Sequence, residues 1–439
     1  MIYSMARKII DNSIKRQKLE QAKNRRALTY KMLDYYNGDN TEQYVKDRFS
    51  ASSFQEVPIS SMNITKRFVD KMSRVYTLGA NRTLQSKQDV YDDLIRMKDV
   101  KLKHFEKMTK LLGTIAVHIG MDEDANGNKF FKYTPKYAFD VILDELDPFK
   151  PIAIKYPIIL NTDDASVGNE VLQYAYYDDQ GYIIYDDTGK ELKAETHDLG
   201  VLPFVFMHKD HQQLEFTVPG AVDIINANEQ LNILFTEMNL GMRFQMFGQY
   251  TVTGMYADEN IQRAGSDEII ILPEGANMSI LSPTVNIDDA IALAKTMLEV
   301  TASNNHLTVS FIDPQKDRPQ SGTALQIRNL EYNEKYQDDL GLWIGNEMEL
   351  YELEKKVANS NGIGLPNDIG IDFNEPKTIM TTPEEIAMNT WLLENNMTTK
   401  AKLLKKYNDD LTLEQAQAEI KDNESVNGTK EQQSGSIFS

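Results

Sequence analysis

The stretch that decides the fold is residues 219–247, PGAVDIINANEQLNILFTEMNLGMRFQMF. Its large apolar side chains recur mostly three or four residues apart, the spacing of one face of an α-helix. They are Val222, Ile225, Leu231, Leu234, Phe235, Met238, Met242 and Met246. After the opening Pro-Gly, the pattern predicts a helix of about 27 residues, roughly 40 Å long.

A short β-rich excursion follows this helix, and a second helix leads back from it. Residues 250–253 and 269–272 have the composition of strands, and glycine and proline interrupt the sequence around them. The second helix is predicted to begin at Asn286, a favourable N-cap. Asp288 and Asp289 then lie in its first turn, where the helix dipole favours negative charge.

A loop and a long helix complete this part of the chain. Residues 306–321 contain two prolines and charges of both signs, which predicts a loop. The next helix begins at residues 321–325 and ends at residues 361–362, roughly 38 residues or 57 Å later. Two helices that carry a small β module out and back cannot bury their apolar faces alone. The pattern therefore favours either packing against copies of the same chain or a hairpin inside one monomeric domain.

The first 206 residues predict two helices followed by β-hairpins. Residues 6–37 predict a helix rich in Lys and Arg, either a solvated face or an arm for an acidic partner, capsid, scaffold or nucleic acid. Residues 62–76 predict an amphipathic helix. From residue 114 the apolar period changes to two, which indicates strands. Residues 122–128 begin like a calcium loop, but Tyr133 replaces the bidentate glutamate, so a hairpin turn is favoured.

The C-terminal part predicts one strand and three helices. Residues 370–373 form a short strand, and Thr382-Pro383-Glu384-Glu385 is a capping box with proline at the first helical position. A second helix covers residues 400–407. A third is capped by residues 412–415 and continues through Ile420, and the polar residues 423–439 are predicted to be disordered.

The order of these segments resembles the portal proteins of tailed bacteriophages over roughly residues 30–422. The segments that carry the resemblance are the hairpins, Gly-x-x-Pro at 200–203, the long helix, the β excursion and the Ser-Gly-Thr-Ala-Leu helix opening at 321–325. Residues 62–79, with a Val-Asp-Lys core and a glycine exit, and the turn at 410–416 are also similar. No single segment is specific, whereas their order is.

The resemblance implies an α+β portal fold with a mixed α/β wing, a helical stem, a small β-containing clip, a long wing helix and a helical crown, assembled as a ring. The segments would be 1–219 N-terminal helix and wing, 220–247 first stem helix, 248–285 clip, 286–305 second stem helix, 306–321 tunnel loop, 322–381 long wing helix and returning strand, 382–422 crown helices, and 423–439 disordered tail.

The resemblance also implies function and partners. Portal proteins form a ring, usually of twelve subunits, at one capsid vertex of the virion, and they assemble in the host cytoplasm. Double-stranded DNA passes through the ring during packaging and ejection. The ring nucleates head assembly together with major capsid and scaffolding proteins, and it binds the terminase large subunit and later a head-tail adaptor.

Carried onto this chain, the resemblance yields candidate residues for each role. Candidates for contact with DNA in the tunnel are Lys316, Arg318, Arg243 and Lys295; a surface ion pair is the alternative for each. The tunnel loop would include Phe311, Ile312, Asp313 and Pro314. Candidates for partner binding in the clip are Tyr250, Tyr256, Arg263, Ile269 and Ile271.

Charge and missing motifs narrow the function classes. The net charge of −19 over 439 residues argues against tight gripping of DNA, although it suits either a conduit that DNA slides past or simple solubility. Nucleotide-binding and hydrolase motifs are lacking, so no enzyme activity and no cofactor are expected. His208 and His211 lack a third metal ligand, and acidic pairs such as Asp338-Asp339 are most simply solvated charges. No apolar run is long enough for a membrane span.

Two alternatives from other classes remain open. A metal-dependent nucleic-acid hydrolase would need a convergent cluster of carboxylates and Mg²⁺-dependent turnover. A ring or adaptor protein of another kind would lack a continuous tunnel wide enough for DNA.

Overall fold

The computed structural model describes residues 21–49, 59–160, 171–247, 249–253, 275, 277–281, 286–307, 330–374, 382–408 and 411–434. It is a mixed α+β structure, which confirms the predicted class. The chain divides into two compact units. The first comprises Met1–Arg318 with Asn329–Glu375, and the second comprises Pro319–Arg328 with Pro376–Ser439.

The first unit opens with short helices. These are α1 (residues 21–37), α2 (Thr41–Lys46), α3 (Thr65–Met72), α4 (Gln88–Leu94) and α5 (Lys98–Leu112). The helix predicted over residues 62–76 is thus shorter, and a separate 3₁₀ turn covers Val75–Thr77. The cause is the buried carboxylate of Glu106, which accepts hydrogen bonds from the backbone N–H groups of Arg74, Val75 and Tyr76 and replaces helical partners there.

Antiparallel sheets occupy the middle of this unit. The strands are β1 (Ala80–Leu84), β2 (Thr114–Glu123), β3 (Lys129–Lys136), β4 (Asp140–Leu143), β5 (Pro151–Leu160), β6 (Val171–Tyr177), β7 (Gly181–Asp186), β8 (Glu191–Thr196) and β9 (Phe204–His208). One sheet has the order β3-β2-β9, and a second runs β4-β5-β6-β7-β8. The β2–β3 turn is closed by Asp124, whose carboxylate accepts from the backbone of Asn126 and Asn128. The predicted hairpin turn is therefore confirmed.

A helical hairpin follows the sheets. It consists of α6 (Val222–Phe247), β10 (Gln249–Thr253), β11 (Asn277–Leu281) and α7 (Ile287–Asn304). The two strands pair with each other antiparallel, Gln249 opposite Leu281. β11 was not predicted from the sequence, and the predicted strand at 269–272 lies outside the described residues. Asn286 caps α7 as predicted, since its side chain accepts from the backbone N–H of Asp289.

The long helix α8, described over Leu330–Ser360, packs against β2, β9 and the returning strand β12 (Ile369–Phe373). β12 pairs antiparallel with β1, which confirms the predicted short strand. Trp343 and Leu350 of α8 enter one core cluster with Leu102 of α5 and Ile115 of β2. Burial of such large apolar side chains is the main stabilising contribution to this unit.

The second unit contains α9 (Thr382–Glu394), α10 (Lys400–Tyr407) and α11 (Leu413–Ser434). Thr412 and Gln415 form a reciprocal capping box at the start of α11, as predicted. However, α11 continues to Ser434. The predicted end of the helix at Ile420 is therefore wrong, and the predicted disorder is wrong for residues 423–434. Glu424 in these extra turns forms a surface ion pair with Lys400 of α10 at 3.0 Å.

Candidate functional site: the helical hairpin and its anchors

The two helices of the hairpin run antiparallel. The start of α6 and the end of α7 meet at the core. The amide of Asn305, just after α7, donates to the carboxylate of Asp223 at the start of α6 at 2.7 Å. The strands β10 and β11 lie at the opposite end. With 26 residues, α6 is about 39 Å long. The hairpin is therefore a long arm attached at one end.

Glycines fix the point where this arm leaves the core. A Cβ on Gly220 would come within 2.3 Å of the carbonyl oxygen of Leu111, and one on Gly113 within 2.0 Å of the carbonyl oxygen of Val218. Gly113 also has a positive φ of 84°. The backbone N–H of Ala221 can therefore reach Leu111 and donate to its carbonyl at 2.8 Å. Only glycine permits two backbones to approach this closely.

A row of polar side chains on α6 holds the segment before α3. Asn228, Asn232 and Thr236 are four residues apart, so they lie one above the other at a spacing of about 6 Å. Their side-chain oxygens accept from the backbone N–H groups of Ile64, Met62 and Ser60, at 2.8, 2.8 and 3.0 Å. Alternate residues of an extended chain are separated by about 6.6 Å, so the two spacings match.

Glu229, next to this row, ties α6 to the N-terminal helices. It is nearly buried, and its two carboxylate oxygens accept from Lys31 of α1 at 2.6 Å and from Arg48 after α2 at 2.7 Å. Burial by itself would raise the pKa of Glu229, but the hydrogen bonds from these two cations outweigh it and lower the pKa. Glu229 is therefore charged at neutral pH and anchors the base of the hairpin.

We expect Asn232→Ala to lower the free energy of unfolding of the first unit by about 2 kcal/mol. Asn232 accepts from the N–H of Met62 and donates to its carbonyl oxygen at 3.1 Å, so alanine leaves both backbone groups without these partners. Urea-induced unfolding followed by circular dichroism measures the loss. Asn239→Ala is the matched control, because Asn239 is exposed on the same helix and makes only a 3.3 Å contact with Ser60. Equal effects of both substitutions would contradict the anchoring role.

Among the described residues, the far half of α6 and one face of α7 are exposed to solvent. Beyond Thr236, none of the described side chains of α6 is buried, and Met246 is 77% exposed. On α7, Leu293 and Val300 are 51% and 54% exposed, although both are apolar. They are seven residues apart and so lie on the same face of the helix. An apolar face of this kind is what one expects where another protein surface packs.

A second anchor, deep in the core, holds α8 through charged groups. Glu347 and Glu354 are seven residues apart on α8, and both are fully buried. Glu347 pairs with Arg82 of β1, and Lys98 of α5 lies 3.2 Å from Glu347 and 2.7 Å from Glu354. Arg82 also reaches Asp99 at 2.8 Å. These residues are named the buried ion network.

Three tyrosines complete the buried ion network. The hydroxyl of Tyr76 donates to Glu347 at 2.9 Å, and those of Tyr91 and Tyr133 donate to Glu354 at 2.8 and 2.5 Å. Burial, followed by the nearby carboxylates, raises the pKa of each tyrosine, so each remains a donor. Burial would raise the pKa of Glu347, but the charge of Lys98 and the hydrogen bond from Arg82 lower it to about 2.

A further buried carboxylate corrects a sequence-based expectation. Asp339 of α8 was expected to be a solvated charge, but it is 1% exposed. Lys110 of α5 lies 2.7 Å from it, and Lys335, one turn earlier on α8, lies 3.3 Å away. The side chain points inward because the apolar residues of α8 that fix its orientation, including Trp343, face the same side.

The structure describes only part of the predicted site. Arg243 and Lys295 are exposed on α6 and α7, respectively, as channel candidates need to be. Tyr250 lies in β10, where its backbone pairs with Ile280. The other candidates lie outside the described residues: Lys316, Arg318, Phe311, Ile312, Asp313, Pro314, Tyr256, Arg263, Ile269 and Ile271.

Sequence reasoning missed the anchors, although one of them left a signal. The spacing of Asn228, Asn232 and Thr236 is a polar stripe within an apolar helix, and a stripe of that kind indicates a backbone partner. Glu347 and Glu354 carry no comparable signal, because glutamate on a helix is usually solvated. Their cations come from β1 and α5, distant in sequence.

His208, the sequence's weak metal candidate, is a structural residue. Its ring nitrogen Nδ1 lies 3.0 Å from the hydroxyl of Thr114, and burial lowers its pKa to about 4. Among the described residues, no group of three or more His, Asp or Glu side chains could hold a metal ion.

No protein-family model matches this chain, and neither does any curated protein. In the part of the chain that the structure describes, no helix is both long enough and apolar enough to cross a bilayer.

Proposed function

We propose that this chain is the portal protein of a tailed bacteriophage: a ring-forming subunit whose central channel admits double-stranded DNA at one capsid vertex. The observation that carries the proposal is the hairpin, which is anchored at its base and has one apolar face of α7 exposed along its length. In a single chain, Leu293 and Val300 face solvent. In a ring, the same face packs against the hairpin of the next subunit.

The roles follow from this geometry. The hairpin is the stem, and β10 and β11 are part of the clip that binds the terminase large subunit and later the head-tail adaptor. The rest of the first unit is the wing, and the helices α9–α11 are the crown. The rigid base supports this assignment, because polar ladders and ion pairs at Asn232 and Glu229 fix the angle at which each stem leaves its wing. A closed ring requires the same angle in every subunit.

The negative net charge of the chain favours a channel that DNA passes through over a protein that binds DNA tightly. Twelve copies of a chain with net charge −19 carry about −230, so most of the ring repels phosphate and lets DNA pass. DNA contact inside the channel would then be confined to a few cations. Lys316 and Arg318 in the tunnel loop are the first candidates, and Arg243 and Lys295 on the stem are the next.

The double substitution Lys316→Ala with Arg318→Ala tests the channel directly. We expect rings of unchanged size but a several-fold change in DNA packaging or retention in an assembly reaction, because two cations per subunit are removed from the DNA path. Lys150→Ala with Lys190→Ala is the control, since it removes the same charge from exposed hairpin turns. Unchanged packaging would remove Lys316 and Arg318 from the DNA path.

A further inference from the structure

An open groove between α3 and α5 is lined by cations in an otherwise acidic chain. The groove has a volume of about 700 Å³. Ten residues line it, and six of them are basic: Lys66, Arg67, Lys71, Arg74, Lys103 and Lys107. Among the described residues of the lining, Asp70 is the only acidic one, so these residues carry a formal charge of +5. This basic groove is separate from every residue assigned above to the hairpin or the tunnel loop.

The cations of the basic groove form two rows. On α3, Arg67 and Lys71 are one helical turn apart, and on α5, Lys103 and Lys107 are also one turn apart, about 6 Å in each case. Lys66, Lys71 and Lys103 are exposed to solvent. Repeated positive charge along two adjacent helices suits a ligand whose negative charge also repeats.

Buried carboxylates hold Arg74 in place at the floor of the basic groove. Arg74 is 92% buried, and its Nε lies 4.0 Å from Asp339. Its backbone N–H donates to Glu106 at 2.7 Å. On the wall, Lys107 pairs with Asp70 at 2.7 Å, and the hydroxyl of Tyr36 donates to the same carboxylate at 3.1 Å. Asp70, Asp339 and Glu106 are thus already occupied by the protein's own donors.

Neutral donors complete the lining. Asn63, Ser73 and Thr77 lie among the cations. Lys, Arg, Ser, Thr and Asn side chains are the set that proteins use to contact phosphate oxygens of nucleic acids. We infer that the basic groove binds the phosphate backbone of a nucleic acid duplex, without reading its sequence, on the first unit and outside the hairpin.

A duplex fits these features better than an acidic protein segment does. The phosphates of a duplex repeat at every nucleotide, and a duplex is too wide to enter a closed pocket. The groove is open, and cations line it along its length. The inference does not depend on the ring, because every groove residue belongs to one chain.

The test is binding of a short fluorescein-labelled DNA duplex to the full chain, measured by anisotropy between roughly 50 and 200 mM NaCl. The variant carries Lys66→Ala, Lys71→Ala and Lys103→Ala, all exposed side chains, so folding is retained. We expect affinity to fall at least tenfold, and the slope of log affinity against log salt to become shallower by about 2.7. The control carries Lys402→Ala, Lys405→Ala and Lys421→Ala, three exposed lysines of the second unit. The control is expected to bind like the wild type.

Three results would overturn the inference. The first is no binding of the duplex by the wild type at the lowest salt. The second is an equal loss in both triple variants, which shows that net charge alone is responsible. The third is displacement of the duplex by polyglutamate at equal charge concentration, which assigns the groove to an acidic protein segment. Mass photometry of the same samples records the ring separately, so failure of the groove and failure of the ring are distinguishable.

Discussion

Glu347→Gln is expected to lower the free energy of unfolding of the first unit by about 3–5 kcal/mol. The substitution keeps the shape of the side chain and removes one negative charge from a site with no access to water. Arg82 and Lys98 then remain buried with fewer counter-charges. Guanidinium-induced unfolding followed by circular dichroism measures the change.

Two further variants show whether the loss of stability in Glu347→Gln comes from the lost charge. Glu352→Gln, on the same helix, is the control, because Glu352 is 59% exposed and its pairing with Lys355 is a surface contact. We expect it to cost less than about 0.5 kcal/mol. Adding Lys98→Met to Glu347→Gln removes a cation that has lost one of its two carboxylate partners, so the double variant is expected to lose less stability than the two single losses added together.

The pH dependence gives an independent check on Glu347. Its pKa of about 2 in the folded protein lies below the ordinary value of 4.5. The stabilisation from its charge is therefore fully present above pH 4.5 and is lost as the pH falls toward 2. The difference between Glu347→Gln and the wild type should shrink over that window. A constant difference would show that the charge of Glu347 is not what stabilises the core.

The second large effect is expected on assembly. Leu293→Asp with Val300→Asp places two carboxylates on the exposed apolar face of α7, and we expect it to abolish ring formation while leaving a folded monomer. The reason is that a subunit interface would bury both charges without partners. Size-exclusion chromatography with light scattering measures the particle mass.

Leu146→Asp with Leu214→Asp is the matched control for assembly. Both leucines are exposed in loops of the first unit, 96% and 89%, and neither belongs to the hairpin. Rings of normal mass are expected from this control. If the α7 variant also forms normal rings, the face that contains Leu293 and Val300 is not a subunit interface.

Local rules predicted much of the fold. The apolar spacing of α6, the N-cap at Asn286 and the capping box at Thr412 each depend on residues within a few positions of one another, and each predicted a helix or a helix start that the structure contains. The hairpin turn at Asp124 is equally local. These features are predictable because the side chains involved are neighbours in the sequence.

Other elements lacked a local signal. The strand β8 alternates charged residues with Leu192, Ala194 and Thr196, but every side chain in it is exposed. Burial therefore gives it no support, and backbone pairing with β7 identifies it. Asp339 and Glu347 look like ordinary helix-surface charges, because the cations that accompany them into the core come from Lys110 and Arg82, distant in sequence. Such pairings depend on the tertiary fold.

In the proposed ring, copies of this chain complete one another's exposed hairpin faces around an axis and leave a bore for DNA. Negative-stain electron microscopy with mass photometry of the purified protein at micromolar concentration tests it most directly. We predict closed rings of about twelve to thirteen subunits of 50.1 kDa, near 600 kDa for twelve, with a central channel wide enough for duplex DNA. A stable monomer, or a closed particle without such a channel, would rule out a ring that conducts DNA.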